Sequence, residues 1–355
     1  MNPPPFPSRP SFLIVSLRYI GDVLLSTPLA LSIKTHLPDA RIDYLVFKGT
    51  EGVLAKNPHV QTVHTVAPGS LGLKKLAEIW RHYDFSIGAN WSDRTGIISS
   101  LTGRHSTGFY HFKQKEWWKP LLLSQCNFFD GHAHMVPIML SQLESLRIPA
   151  LPRVVMGFDE ADADFARKQL GAGDYILLHP YSRQAYKYWP AASWAKLAEV
   201  IRESGLRPVF TRSAAAADEE QFRAIERAAT GGLDSFPQPF TLPQLAAAIH
   251  QSRAYVGIDT VATHMAAALE VPTIALYGPT RVTVWGPWPN NWQNNKPYEP
   301  GRRVQTRGSI TVMQQSWPCV PCNRESCPIS SRGKMECLEN LGPEAVFESV
   351  RPACL

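Results

Sequence analysis

The chain has 355 residues, of which 44% are hydrophobic and 19% are charged. This length exceeds one ordinary domain, so two packed domains are expected. The net charge of +6 favours an anionic partner, such as a nucleotide, a nucleic acid or an acidic lipid surface. Apolar runs are too short for a membrane span, and the first ten residues lack the apolar core of a signal peptide, so we expect a cytoplasmic protein.

The first half alternates strand-like and helix-like segments, which predicts a parallel sheet. The predicted strands are Phe12–Leu17, Ile42–Phe47, Thr62–Val66 and Phe85–Ala89. The predicted helices are Pro28–Leu37, Gly52–Lys56, Leu73–His82, about 132–147 and Asp159–Leu170. We therefore predict an N-terminal domain over residues 1–170.

A carboxylate follows the first predicted strand, where Arg18-Tyr19-Ile20-Gly21-Asp22 leads into a helical pattern. Ligands of α/β sheets bind outside the carboxyl ends of the strands, and Asp22 is expected at that edge. The alternative is that Asp22 only caps the following helix.

Residues 104–123 break the alternation and are predicted to be irregular. Four cations, Arg104, Lys113, Lys115 and Lys119, are interleaved with five aromatic residues. Such a segment suits an anionic amphipathic partner, with the aromatic side chains at a membrane interface. The alternative is a loop whose aromatic side chains pack on the core.

The same alternation restarts after a linker near Gly171–Asp174, which predicts a second doubly wound domain over residues 171–341 and a ligand cleft between the two domains. Its predicted strands are Tyr175–His179, Arg207–Thr211, Ala254–Ile258 and Pro272–Tyr277. Its predicted helices are Pro190–Ser204, Asp218–Ala229, Leu242–Gln251 and Thr260–Leu269. Residues 278–316 are predicted to be loop, and residues 342–355 a closing helix and tail.

Polar loops follow three of these strands. Ser182 to Lys187 form a basic loop before a helix, which is a plausible anion site. Asp259 and Thr260 follow a buried strand and are expected to cap the next helix, whose free N–H groups and dipole attract phosphate. His264 lies one turn further along, where a lone histidine is most often structural. The third loop, Gly278-Pro279-Thr280, lies at the same edge.

Together these motifs resemble the lipopolysaccharide heptosyltransferases, glycosyltransferase family nine. The residues that carry the resemblance are the Gly21-Asp22 turn, the Arg183-x-x-x-Lys187-x-Trp189 loop and Asp259-Thr260-x-x-x-His264 with its Ala-rich helix. The heptosyltransferase III branch is the most similar, through Lys187-Tyr188-Trp189 and the tail from Ser316 to Cys322. The resemblance covers nearly the whole chain.

The resemblance implies a GT-B fold with two Rossmann-like domains, the N-terminal one for the acceptor and the C-terminal one for the donor. The donor would be ADP-L-glycero-D-manno-heptose and the acceptor an inner-core heptose of lipopolysaccharide, at the cytoplasmic face of the inner membrane. The reaction would invert the anomeric centre without a cofactor or catalytic metal. Asp22 matches the catalytic carboxylate, and Ser182, Lys187, Asp259, Thr260 and His264 match donor contacts.

Further site residues are assigned by position. Asp218 is our candidate for the acid that binds ribose, and Arg18, Lys113 and Lys115 are candidates for acceptor contacts. The only Asp-x-Asp motif, Asp162-Ala163-Asp164, falls inside a predicted helix, where its carboxylates would not face each other. It is therefore a poor metal site.

Alternative functions remain open on the residues alone. Val261 stands where the family usually has glycine, so a UDP- or GDP-linked sugar is an alternative donor. A homologue that binds nucleotide or glycolipid without turnover is a second alternative, against which Asp22 argues. A nucleic-acid protein is suggested only by the charge, because neither half carries a nucleic-acid signature.

Four cysteines cluster near the C-terminus, whereas Cys126 and Cys354 stand apart. Cys319, Cys322, Cys327 and Cys337 are four thiolate ligands for a structural zinc that would staple a loop. Reduced thiols packed under a loop, or disulfides formed on isolation, are the alternatives, because only the first pair has a standard zinc spacing.

Overall fold

The computed structural model describes residues 6–70, 72–171, 174–290, 292–330 and 334–353. The chain groups into two compact units, the first ending at Gly157 and the second beginning at Phe158. The boundary therefore precedes the one that we predicted after residue 170. The reason is that the helix Glu160–Leu170 packs in the second unit, where Gln251 Nε2 donates to the carbonyl of Ala163 over 2.9 Å.

The first unit is built on a parallel sheet with the strand order β3-β2-β1-β4-β5-β6. Its strands are β1 (Ser11–Ser16), β2 (Arg41–Phe47), β3 (Thr62–Val66), β4 (Tyr83–Gly88), β5 (Gly103–Tyr110) and β6 (Gln125–Phe128). The central strand β1 is buried along nearly its whole length, as an apolar run between two covered faces should be. The strand order reverses between β1 and β4, which pair on either side of this reversal.

Helices connect these strands. They are α1 (Ile20–Leu25), α2 (Thr27–His36), α3 (Leu73–Glu78), α4 (Asp93–Thr102), α5 (Lys119–Leu122) and α6 (Met135–Leu140). Two predicted helices are 3₁₀ turns in whole or in part, at Glu51–Leu54 and Ser141–Leu146. Thr27 is the first residue of α2, and Ser26 occupies the N-cap position.

The prediction of an irregular segment from residue 104 is wrong for its first part. Gly103–Tyr110 forms β5, which pairs with β4 on one side and β6 on the other. The sequence GRHSTGFY carries no alternation of apolar and polar residues that would predict a strand. Its extended conformation is stabilised by pairing with a strand on each side. The helix α4 before it is also absent from our predictions.

The second unit contains a larger sheet with the strand order β12-β13-β11-β10-β7-β8-β9. Its strands are β7 (Tyr175–His179), β8 (Arg207–Phe210), β9 (Asp234–Ser235), β10 (Ala254–Ile258), β11 (Thr273–Tyr277), β12 (Val304–Arg307) and β13 (Ile310–Gln314). The pairing is parallel except between β12 and β13. Residues 304–314 were predicted to be loop, and this is wrong because β13 adds to β11 and β12 turns back on it.

The helices of the second unit flank this sheet. They are α7 (Glu160–Leu170), α8 (Ala191–Glu203), α9 (Ala216–Ala228), α10 (Leu242–Gln251), α11 (Val261–Ala268), α12 (Val282–Trp285), α13 (Glu336–Glu339) and α14 (Pro343–Val350). The predicted closing helix is α14, and it joins the core of this unit with Trp189, Trp194 and Phe210. None of the helices within the described ranges is long and apolar enough to cross a membrane.

Candidate functional site

The first polar edge lies where the strand order of the first sheet reverses, at the carboxyl ends of β1 and β4. Such a reversal is the usual ligand position in an open α/β sheet. Asp22 is placed there, with 5% of its surface exposed. It is the third residue of α1 and not a turn residue as predicted, because the helix already begins at Ile20. The N-cap position belongs to Tyr19, so Asp22 is not the capping residue.

Arg18 contacts Asp22 and is itself held by an aromatic ring. Its Nε lies 3.5 Å from Asp22 Oδ1, and its Cζ lies 4.2 Å from the ring centroid of Trp91. A guanidinium over an indole face is a favourable cation–π contact. The first turn of α1 also presents N–H groups, which favour a negative charge at this position. The structure thus holds a buried carboxylate beside a fixed cation.

Asn90 and Ser16 are residues of this edge that our sequence analysis did not select. Both are almost fully buried. Among the described residues, Asn90 Nδ2 and Ser16 Oγ have no hydrogen-bond partner, although Asn90 Oδ1 accepts from the amide of Ser92. A signal was present, since Asn90 and Trp91 directly follow a predicted strand. Their place at the same sheet edge as Asp22 requires the strand order, which brings β4 next to β1.

The second polar edge lies where the order of the second sheet reverses, at the carboxyl ends of β7 and β10. The loop after β7 carries Lys187 and the residue after β10 is Asp259. Lys187 Nζ and Asp259 Oδ2 are 2.6 Å apart, and their side chains are 19% and 8% exposed. The prediction that Asp259 caps the next helix is wrong, because its carboxylate pairs with Lys187 instead.

The N-terminus of α11 opens at this edge. Thr260 occupies the N-cap position in extended conformation, but its side chain makes no capping hydrogen bond. Val261 is the first helical residue, so its β-branched side chain lies in ordinary helical backbone and carries no strain. The first N–H groups of a helix without a side-chain cap are available to an anion.

His264 lies on the buried side of α11, near both members of the ion pair. Burial lowers the pKa of His264 to about 4, Asp259 opposes that shift and Lys187 adds to it. Its ring is therefore neutral at neutral pH. Within the described residues, Nδ1 of His264 has no hydrogen-bond partner. A neutral imidazole here offers a hydrogen bond and no charge.

Ser182, in the loop after β7, and Asp218, in the helix after β8, lie at the same sheet edge. Ser182 is buried, and its Oγ accepts a hydrogen bond from the amide of Gln184 over 3.3 Å. Asp218 lies in the first turn of α9, which follows β8, and accepts a hydrogen bond from Tyr188 Oη over 3.0 Å. The adjacent Glu219 pairs with Arg212 over 2.5 Å. The hydrogen bond from Tyr188 therefore holds Asp218 next to the loop that carries Lys187.

The predicted site residues thus form two groups, one in each unit. The first unit brings Arg18 to Asp22, and the second brings Lys187, Asp259 and His264 together. Lys113 and Lys115 are exposed in the loop that follows β5.

The Asp-x-Asp motif lies inside α7, as predicted, where Asp162 belongs to a capping box and Asp164 pairs with Arg167.

The cysteine cluster is the candidate zinc site of the chain. Cys319 is exposed and Cys337 is buried, and the four thiols of the cluster are free. Burial raises the pKa of Cys337 to about 11, with smaller contributions from Cys322 and Cys327, which favours a protonated thiol. Nowhere in the described ranges do three or more His, Cys, Asp or Glu side chains form a group that could hold a metal. Zinc therefore stays a prediction from the spacing, and Cys354 lies outside the described residues.

The chain is similar to proteins of a known family. A model of glycosyltransferase family 9 (heptosyltransferase) matches residues 81–307, which is more than half of the chain. Lipopolysaccharide heptosyltransferase 3 of Escherichia coli K12 is 27% identical over 316 residues, covering 82% of this chain and 90% of the relative.

Two solved structures are similar in fold. A family 9 glycosyl transferase from Veillonella parvula DSM 2008 has a TM-score of 0.79 at 19% identity and covers 99% of each chain. The heptosyltransferase WaaC of E. coli with ADP has a TM-score of 0.68 at 20% identity, covering 97% of this chain and 99% of that one. The fold is therefore of the GT-B type, with two Rossmann-like domains, as predicted.

Proposed function

The chain belongs to glycosyltransferase family 9, the heptosyltransferases, and from this membership we propose that it transfers heptose from ADP-L-glycero-D-manno-heptose to a heptose of the lipopolysaccharide inner core. The transfer inverts the anomeric centre and uses no metal. Relatives named lipopolysaccharide heptosyltransferase support the acceptor class, and a similar structure with ADP supports the nucleotide.

One observation carries the proposal: each sheet has its charged candidates at the reversal of its strand order. Asp22 with Arg18 occupies this position in the first unit, and Lys187 with Asp259 occupies it in the second. A carboxylate suits an acceptor hydroxyl, whereas a lysine beside free helix amides suits a diphosphate. A sugar transfer needs both groups, one for the acceptor and one for the leaving diphosphate.

On the acceptor side, Asp22 acts as the general base. As the acceptor oxygen forms its bond to the anomeric carbon, its proton passes to the Asp22 carboxylate. The bond from the anomeric carbon to the phosphate oxygen breaks, and its electron pair leaves with ADP. Attack on the face opposite the leaving group inverts the centre. Arg18 keeps the Asp22 carboxylate in place, and Asn90 offers Nδ2 to a sugar hydroxyl.

On the donor side, the leaving diphosphate gains negative charge as the bond breaks, and catalysis requires positive groups where that charge develops. Lys187 and the amides at the start of α11 supply them. Ser182 and Thr260 add hydroxyl contacts, neutral His264 adds a hydrogen bond, and Asp218 binds the ribose. These protein groups stabilise the leaving diphosphate, so the proposed transfer does not require a metal ion.

A different donor nucleotide is the second candidate, because Val261 is the position at which the chain departs from the family pattern in the expected donor site. Its side chain stands on the first residue of α11, where a glycine would leave more room for phosphate. Calorimetric titration with ADP, UDP and GDP, with and without magnesium, separates the two. Tight ADP binding that does not depend on magnesium supports the heptose donor, whereas preference for UDP or GDP contradicts it. A protein that binds ADP and glycolipid without turnover would be a non-catalytic homologue.

The acceptor is a glycolipid, so we also propose that the protein associates peripherally with the cytoplasmic face of the inner membrane. Its net charge of +6 suits an anionic surface.

Asp22→Asn tests the catalytic assignment. Because the amide cannot take the proton, turnover should fall by about 100-fold to 10,000-fold. ADP affinity should stay unchanged, since Asp22 acts on the acceptor. The measurements are ADP release with the glycolipid acceptor and calorimetric ADP binding.

Asp39→Asn is the matched control, because Asp39 is an exposed carboxylate of the same unit. It should leave both quantities unchanged. If Asp22→Asn abolished ADP binding together with turnover, the base assignment would be wrong.

A further inference from the structure

A cluster of exposed apolar side chains follows β5, in the segment 111–128. Phe112, Trp117, Leu121, Leu122 and Phe128 are between 52% and 74% exposed. Large apolar side chains scattered singly on a surface need no explanation, but several within one short segment indicate an interaction site. The alternative that these aromatic residues pack on the core is therefore wrong for Phe112 and Trp117, although Phe109 and Phe129 are buried.

The exposed charge of this segment has a single sign. Lys113 and Lys115 are exposed, and Lys115 Nζ lies 5.8 Å from the ring centroid of Phe112. Glu116 is the only acidic residue of the segment, and it pairs with Lys119 Nζ over 2.6 Å. The surface thus combines lysines with aromatic and leucine side chains, which is the composition that binds an anionic lipid interface.

The segment is fastened to the sheet by a buried lysine. Lys119 is 0% exposed, and its Nζ donates to the carbonyl of Trp91 and pairs with Glu116 and Asp93. Glu116 Oε2 in turn accepts from the amides of His111 and Phe112 at 2.5 and 2.9 Å. A buried charge is tolerated only when it is paired and hydrogen-bonded, as here. These contacts fix residues 111–119, and α5 and β6 continue the segment.

The same contacts connect the segment to the edge that carries Asp22. Trp91, whose carbonyl accepts from Lys119, has its ring under the guanidinium of Arg18, and Arg18 contacts Asp22. The segment begins at the carboxyl end of β5 and Asp22 follows the carboxyl end of β1, with β4 between these two strands.

We propose that the segment 111–128 docks this protein on an anionic lipid bilayer, with Phe112, Trp117, Leu121 and Leu122 in the interface and Lys113 and Lys115 on the lipid headgroups. The bilayer then presents a lipid-linked acceptor at the Asp22 edge of the first unit. This inference rests on the proposed function for its acceptor. Lipid binding is measured without any transfer, so the two can fail separately.

The test is sedimentation of the full chain with vesicles of phosphatidylcholine, with and without phosphatidylglycerol. We expect binding only to the anionic vesicles. Trp117→Ser/Leu121→Ser should weaken it about tenfold or more, because two interfacial apolar side chains are lost. Lys113→Gln/Lys115→Gln should weaken it about 25-fold, at about fivefold per lysine, and remove most of its salt dependence.

Leu73→Ser/Trp80→Ser is the matched control, since these side chains are 70% and 56% exposed in the same unit. It should bind vesicles as the parent does. All variants change exposed residues, so circular dichroism and the melting temperature should be unchanged.

Three results would overturn the inference. The first is a segment variant that binds as well as the parent, and the second is a control variant that loses binding. The third is a parent that is dimeric without lipid and becomes monomeric in Trp117→Ser/Leu121→Ser, which would make a second copy of the chain the occupant of this surface.

Discussion

Replacing Lys187 by methionine removes the ammonium group that lies 2.6 Å from Asp259 Oδ2 and leaves a nearly buried carboxylate without its cation. Removing one partner of a buried pair costs about 3–5 kcal/mol. Because 19% of the Lys187 side chain is exposed, we expect the lower end, about 3 kcal/mol. At about 2–4 °C per kcal/mol for a unit of this size, the melting temperature of the second unit should fall by about 6–12 °C.

The double variant Lys187→Met/Asp259→Asn separates stability from binding. It removes both charges, so scanning calorimetry should show that most of the lost stability returns. Its ADP affinity should remain about tenfold to 100-fold below that of the parent, because a charge-assisted phosphate contact is worth about 1.5–3 kcal/mol. Calorimetric titration with ADP measures this second quantity.

Lys196→Met is the matched control, because Lys196 pairs with Glu199 over 2.7 Å on an exposed face of α8. Exposed pairs contribute about 0–1 kcal/mol, so its melting temperature should barely move. The reasoning is refuted if Lys187→Met melts like the parent. The phosphate role is refuted separately if the double variant binds ADP with full affinity.

Two further predictions concern stability. Burial lowers the pKa of His179 and His264 to about 4 from the ordinary 6.5, so the unfolded chain binds more protons between these pH values. Each histidine contributes about 3 kcal/mol to the free energy of unfolding above pH 6.5, and this contribution is lost as the pH falls towards 4. The melting temperature should fall as the pH is lowered through this window, and it should fall less steeply in His264→Gln. Equal dependence of the melting temperature on pH in the parent and in this variant would contradict the lowered pKa of His264. Gly257→Ala should cost about 1–3 kcal/mol, because a Cβ would overlap the buried Tyr255 ring. Gly232→Ala meets no atom within 4 Å and serves as its control in urea unfolding, where equal midpoints for the two variants would refute the overlap.

The sequence by itself determined the elements whose side chains carry their own periodicity. The buried runs of β1, β7, β10 and β11 and the amphipathic helices α8 and α10 lie within a few residues of their predicted positions. Polar residues in the segments that follow such runs were also identifiable, because the carboxyl ends of parallel strands share one edge. This is why Asp22, Lys187 and Asp259 could be selected before any contact was known.

Only the tertiary structure decided which of these residues meet. The ion pair between Lys187 and Asp259 joins loops more than 70 residues apart, and it takes the place of the expected helix cap because a buried charge is costly unless it is paired. Asn90 became a site residue only because β4 pairs with β1.

Polar segments were the least predictable. The strand β5 has no apolar alternation, and its order comes from hydrogen bonds to two neighbours that are distant in sequence. Lys119 looked like one more exposed cation among Lys113 and Lys115, yet it is fully buried. Local sequence records the hydrophobic preference of each residue, whereas the burial of a charge depends on partners that only the folded chain brings within hydrogen-bonding distance.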